Sequence, residues 1–102
     1  MFERIERRAR DSITIRRKGY GIKLRIPKPL REKYFPEHRL DIYIDKENKL
    51  LGLQPHSEGT FKVYRDGSVW CSELGRYKIK PGTYRSNWSD EYKMLIVEIE
   101  FE

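Results

Sequence analysis

A mostly β fold with short helices (α+β), built as a small barrel or as two packed antiparallel sheets, is predicted by three features of this 102-residue chain. Ile and Leu alternate with polar residues through several runs of strand length, and side chains alternate faces in a strand. Turn signatures punctuate those runs at Arg17-Lys18-Gly19, Lys46-Glu47-Asn48, Arg65-Asp66-Gly67 and Pro81-Gly82. Prolines 27, 36 and 55 stop elements where they fall, because proline has no backbone N–H to give to a strand ladder or a helix. A single domain is expected at this length. Within it, residues 1–11 read as a basic arm, 12–55 as hairpin, helix and hairpin, and 56–102 as a strand-rich half.

Taken in order, residues 2–11 predict a short helix, with Phe2, Ile5 and Ala9 as its apolar stripe and Arg4, Arg7, Arg8 and Arg10 around it. Residues 12–27 predict a hairpin turning at Arg17-Lys18-Gly19. Ile13, Ile15, Tyr20, Ile22, Leu24 and Ile26 share its apolar face. The other face carries Arg16, Lys23 and Arg25, with Arg17 and Lys18 at the tip. Residues 29–34 predict a helix, opened by Pro29 and stopped before Pro36. Residues 39–45 predict a strand with Leu40, Ile42 and Ile44 on one side and Asp41, Tyr43 and Asp45 on the other. Residues 49–54 return as its partner after a loop in which Asn48 suits a left-handed conformation.

In the second half, residues 60–64 and 68–70 flank the Asp-Gly turn. Residues 71–74 predict one helical turn, with Ser72 as cap and Gly75 after its end. Tyr77 and Ile79 alternate with Lys78 and Lys80 before Pro81-Gly82. Leu95, Val97, Ile99 and Phe101 alternate with Ile96, Glu98 and Glu100 in a terminal strand with an acidic outer face.

Charge is the most informative compositional feature. Residues 1–31 hold 11 Lys/Arg and 3 Asp/Glu, a net +8, whereas residues 32–102 hold 11 Lys/Arg and 13 Asp/Glu, a net −2. Charge gathered into one segment points to a face aimed at a polyanion. Like charges opposed across a ladder repel, so a bound anion would relieve Arg16, Lys23 and Arg25. The start of the chain lacks the apolar stretch of a signal peptide, and no run approaches the roughly 20 apolar residues of a membrane span. The protein is therefore expected to be intracellular and cytoplasmic, with no membrane partner. Gln54 is the sole Gln, Asn48 and Asn87 the sole Asn, and Ala9 the sole Ala. That scarcity amid abundant charge is a thermophile-like composition.

Catalytic and metal chemistry find little support. Cys71 is the single cysteine, which excludes a Cys-rich zinc site within the chain. It reads as a small buried apolar residue, although a dyad with His38 or His56 is compatible with the sequence. Asp41 and Asp45, and Glu98 and Glu100, read as solvated strand faces. No enzyme activity, catalytic residue, metal or cofactor is expected. The aromatics Tyr20, Tyr34, Tyr43, Tyr64, Tyr77, Tyr84, Tyr92, Trp70 and Trp88 suit core packing or base stacking. Tyr43 points away from the main core and fits a second interface equally well.

The run Gly21-Ile22-Lys23-Leu24-Arg25-Ile26-Pro27-Lys28-Pro29-Leu30-Arg31-Glu32, followed by strand, turn and strand to Pro55, resembles the AbrB-like family of swapped-hairpin regulators. The resemblance covers residues 12–55. It implies an intertwined swapped-hairpin homodimer, DNA binding through arginines of the first half, and a role in transcription regulation.

The expected function is thus that of a small basic DNA-binding regulator. Its candidate nucleic-acid residues are Arg7, Arg8, Arg10, Arg16, Arg17, Lys18, Lys23, Arg25, Lys28 and Arg31. Lysines would meet phosphates, and Arg16, Arg25 and Arg31 base edges. Double-stranded DNA is the expected partner, with single-stranded nucleic acid as a variant. The alternative is a protein-interaction or structural protein whose basic segment meets an acidic surface, such as Glu98 and Glu100 of another copy.

Overall fold

The structure, a computed structural model, describes residues 1–3 and 11–102. Eight strands form in them: β1 Ser12–Lys18, β2 Gly21–Arg25, β3 Arg39–Asp45, β4 Leu50–Pro55, β5 Phe61–Lys62, β6 Ser68–Cys71, β7 Gly82–Ser89 and β8 Met94–Glu98. They are joined by one α-helix, α1 Lys28–Tyr34, and a 3-10 helix, Glu73–Tyr77. The fold is mostly β with short helices, as its sequence predicts. The body of the helix expected over residues 2–11, with Arg7, Arg8 and Arg10, lies outside the described residues.

All strands run antiparallel in one sheet ordered β5-β3-β4-β8-β7-β1-β2-β6. The end strands β5 and β6 are sequence neighbours. Tyr64 N donates to Ser68 O at 2.9 Å between them, so the sheet curls almost into a closed barrel. Closure removes edges that would otherwise present unpaired backbone groups. Both hairpins expected in residues 12–55 are present, β1–β2 and β3–β4, on either side of α1. They pair here with strands of the same chain, β1 with β7 and β4 with β8.

The core is the inner face of this sheet. Ile13 and Ile15 of β1, Ile22 and Leu24 of β2, Leu51 and Leu53 of β4, Val69 and Cys71 of β6, and Leu95 and Val97 of β8 are all buried. Helix α1 begins after Pro27, which stands as its N-cap in extended conformation, and ends at Phe35 before Pro36. It delivers Leu30 and Phe35 to the core, and Tyr34 stacks on Trp88 of β7 with ring centroids 4.4 Å apart.

Several local expectations are corrected. The first hairpin turns at Gly19-Tyr20, because Lys18 faces Gly21 across the ladder. Gly19 has φ +61, so the glycine takes the left-handed first position of a two-residue turn. Tyr20 consequently leaves the apolar face and is almost fully exposed. Residues 77–80 do not form a strand: the 3-10 helix runs to Tyr77, Lys78 turns left-handed, and Ile79 makes an isolated bridge to Phe101. Gly75 lies within that helix rather than after it, and Ser72 makes no side-chain cap hydrogen bond. In the loop after β3 the left-handed residue is Lys49, whereas Asn48 donates its Nδ2 and backbone amide to the Asp45 carboxylate at 2.8 and 3.1 Å. β8 ends at Glu98, although Ile99 and Phe101 continue to face inward.

The longest strand, β7, has no counterpart among the sequence expectations. Its inward residues are Tyr84, Ser86 and Trp88, so the apolar alternation is broken at its centre. Ser86 is buried there because its amide and hydroxyl both donate to Asp11 O. That bond satisfies a polar group which would otherwise be costly to bury.

Candidate nucleic-acid interface

The outer face of β7-β1-β2-β6 is set by strand parity and register. Ile13 and Ile15 point inward, so Ser12, Thr14, Arg16 and Lys18 point outward. Ile22 and Leu24 point inward, so Lys23 and Arg25 point outward. Antiparallel partners share a face, and Arg16 therefore stands opposite Lys23, and Thr14 opposite Arg25. β7 adds Arg85 opposite Ser12, and β6 adds Ser68 opposite Arg25 and Trp70 opposite Lys23.

Five cations thus share one face: Arg16, Lys18, Lys23, Arg25 and Arg85. Among the described residues no carboxylate lies within ion-pairing distance of any of them. Asp66, at the turn before β6, lies near enough to Lys23 to feel its charge. Its carboxyl is held below the usual carboxylate range by the hydroxyl and amide of Ser68, with a smaller contribution from Lys23.

The other expected contacts fall elsewhere. Arg17 faces Ile22 on the inward side of the ladder, at its solvent-exposed end, and donates to Glu102 at 2.9 Å. Lys28 and Arg31 belong to α1, away from the strand face. Lys28 pairs with Glu32 at 3.8 Å, one turn along the helix. Arg31 donates Nε to Ile26 O at 3.0 Å and Nη1 to Arg65 O, tying α1 to the turn before β6. The Glu100 expected on an acidic outer face pairs with Lys80 at 3.9 Å.

The structure also gathers residues the sequence expectations left apart. Lys18, Lys23, Tyr64, Ser68 and Trp70 line a cleft of about 380 Å³ at the β2–β6 edge of the basic face. Trp70 is 41% exposed and Tyr64 50%. The signal for Trp70 was present in the sequence: it lies between Val69 and Cys71, and if both of those are buried the indole must face out. Arg85 had no such signal, because it sits on the unforeseen strand.

On the other half of the sheet, Tyr43 is 51% exposed, as its position opposite Leu40 and Ile44 predicts. With Leu50, Gly52, Tyr92, Met94 and Ile96 it lines a shallow depression of about 300 Å³. Cys71 is buried in the core, and burial pushes its thiol up from the ordinary range. Among the described residues no cluster of His, Cys, Asp and Glu is arranged to hold a metal ion, and no helix is long and apolar enough to cross a membrane. No protein-family model, curated protein or solved structure matches the chain.

Proposed function

We propose that this protein binds DNA through the outer face of β7-β1-β2-β6, and that it acts as a small regulator of the kind its hairpin–helix–hairpin resembles. The observation that carries this reading is the array of Arg16, Lys18, Lys23, Arg25 and Arg85 on one side of the sheet, none of them ion-paired among the described residues. Opposed like charges cost stability in a ladder. Phosphates offset that repulsion and release their condensed counterions as they are neutralised. A short lysine and arginine grid of this kind sets affinity and register by phosphate contact, while arginines at the rim reach base edges.

The test is binding of labelled DNA as a function of salt. The logarithm of the association constant should fall linearly with the logarithm of salt concentration, with a slope approaching about −4.5 on duplex if all five cations meet phosphates. The triple reversal Arg16→Glu, Lys23→Glu and Arg25→Glu should abolish binding without unfolding the chain, since all three side chains point away from the core. Undiminished affinity in that folded variant would remove the face from consideration.

A further inference from the structure

We infer that the cleft between Trp70 and Tyr64 seats an unpaired nucleobase, so that the protein distinguishes a single strand from a duplex. This inference rests on the nucleic-acid reading of the adjoining basic face and adds the form of nucleic acid that the face selects.

Trp70 is placed for the task by backbone. Its strand neighbours Val69 and Cys71 are locked in the core, which fixes the indole on the outside. The ring lies over Gly21 of the neighbouring strand. A Cβ at Gly21 would stand 2.6 Å from Cη2 and 2.7 Å from Cζ2 of the indole. The aromatic ring therefore occupies space that only a glycine leaves, and it is held against the sheet before any ligand arrives. Tyr64 is equally fixed in its main chain: its amide donates to Ser68 O, and its carbonyl accepts from Gly67 N, both at 2.9 Å. Lys62 stands over the Tyr64 ring, 5.1 Å from its centroid.

The chemistry of the cleft is that of stacking beside charge. Every nucleobase offers a flat π face, and a base stacked on an indole needs no specific hydrogen-bond partner. Lys18 and Lys23 line the same cleft and are placed to meet the flanking phosphates of that nucleotide. A volume of about 380 Å³ lies toward the lower end of the range for small-ligand sites. In a duplex the base faces are already stacked on one another, so only a strand with free bases can use both the aromatics and the cations. Phosphate contacts with the rest of the face serve either form.

The experiment uses the intact chain carrying Trp88→Phe, which leaves Trp70 as the sole tryptophan and keeps a ring beside Tyr34. A thymidine oligomer of about ten nucleotides and a duplex of the same length are titrated at one salt concentration. The oligomer should quench Trp70 emission. Trp70→Ala should weaken single-strand binding about ten-fold or more and leave duplex affinity unchanged, and Trp70→Phe should restore most of the loss. Tyr64→Ala, on the turn outside the core, gives a second variant should Trp70→Ala fail to fold. If the alanine variants bind the oligomer as tightly as the parent while the triple charge reversal abolishes binding, the cleft inference is overturned and the DNA-binding face stands. If neither form of DNA binds the parent even at low salt, the face and the cleft fall together.

Discussion

Burial decides the chemistry of Cys71. The thiol is enclosed by the core and displaced upward from its ordinary range by desolvation, so at neutral pH it is protonated and inaccessible. Native protein should not react with an aromatic disulfide reagent over minutes and should react fully in denaturant; rapid labelling of the folded chain would show that the β6 edge opens. Carboxylates behave oppositely. Asp41 accepts the Thr60 amide at 2.9 Å, and that bond holds its carboxyl below the usual value, with the nearby His56 charge contributing less. Asp45 is lowered by Asn48. A group with a depressed folded pKa stabilises above its unfolded value, about 3.9 for Asp, and that contribution is lost as pH falls through the folded pKa. The melting temperature should therefore decline below about pH 4, and Asp41→Asn should make the decline shallower. An identical acid limb in the variant would show that the Thr60 bond does not persist in solution.

Elements explain what was and was not legible in the sequence. β3 appears over the residues its alternation predicts, because Leu40 packs inward with Ile42 and Ile44 beside it while Tyr43 faces out. β2 ends before Pro27 and α1 before Pro36, for the stereochemical reasons that make those residues readable. β7 was hidden because its inward centre is Ser86, a residue stabilised only by a partner 75 positions away. No local pattern encodes such a bond. The basic ribbon was visible as charge on alternate positions, yet its true membership was not. The turn sits at Gly19-Tyr20 rather than at Arg17-Lys18-Gly19, which assigns Arg17 to the opposite side and joins it to Glu102. Two stability effects belong to this scale. Leu24→Ala, at a fully buried β2 site, should cost about 3 kcal/mol by denaturant unfolding. Arg16→Gln should instead stabilise the free protein by about 0.5 kcal/mol, because it removes the repulsion with Lys23 directly opposite. Destabilisation by Arg16→Gln would mean that Arg16 has a folding role and would weaken its assignment to a ligand.

At the scale of the whole molecule, positive charge unpaired among the described residues gathers on one half of the sheet. The face built on β7-β1-β2-β6 is cationic, with Trp70 and Tyr64 at its edge. The outward face of β3-β4-β8 mixes Asp41, Asp45 and Glu98 with Arg39 around the apolar Tyr43, Met94 and Ile96. The excess of cations on the first face orients a polyanion toward it during encounter. Tyr43→Ser should accordingly leave DNA affinity unchanged. The measurement that tests the account most directly is a fluorescence-anisotropy titration of the parent and the Arg16→Glu, Lys23→Glu, Arg25→Glu variant with labelled single- and double-stranded DNA across a salt series. The account predicts salt-steep binding by the parent, tighter for the single strand, and none by the folded variant. Equal binding by the two proteins, or no binding by the parent at low salt, would contradict it.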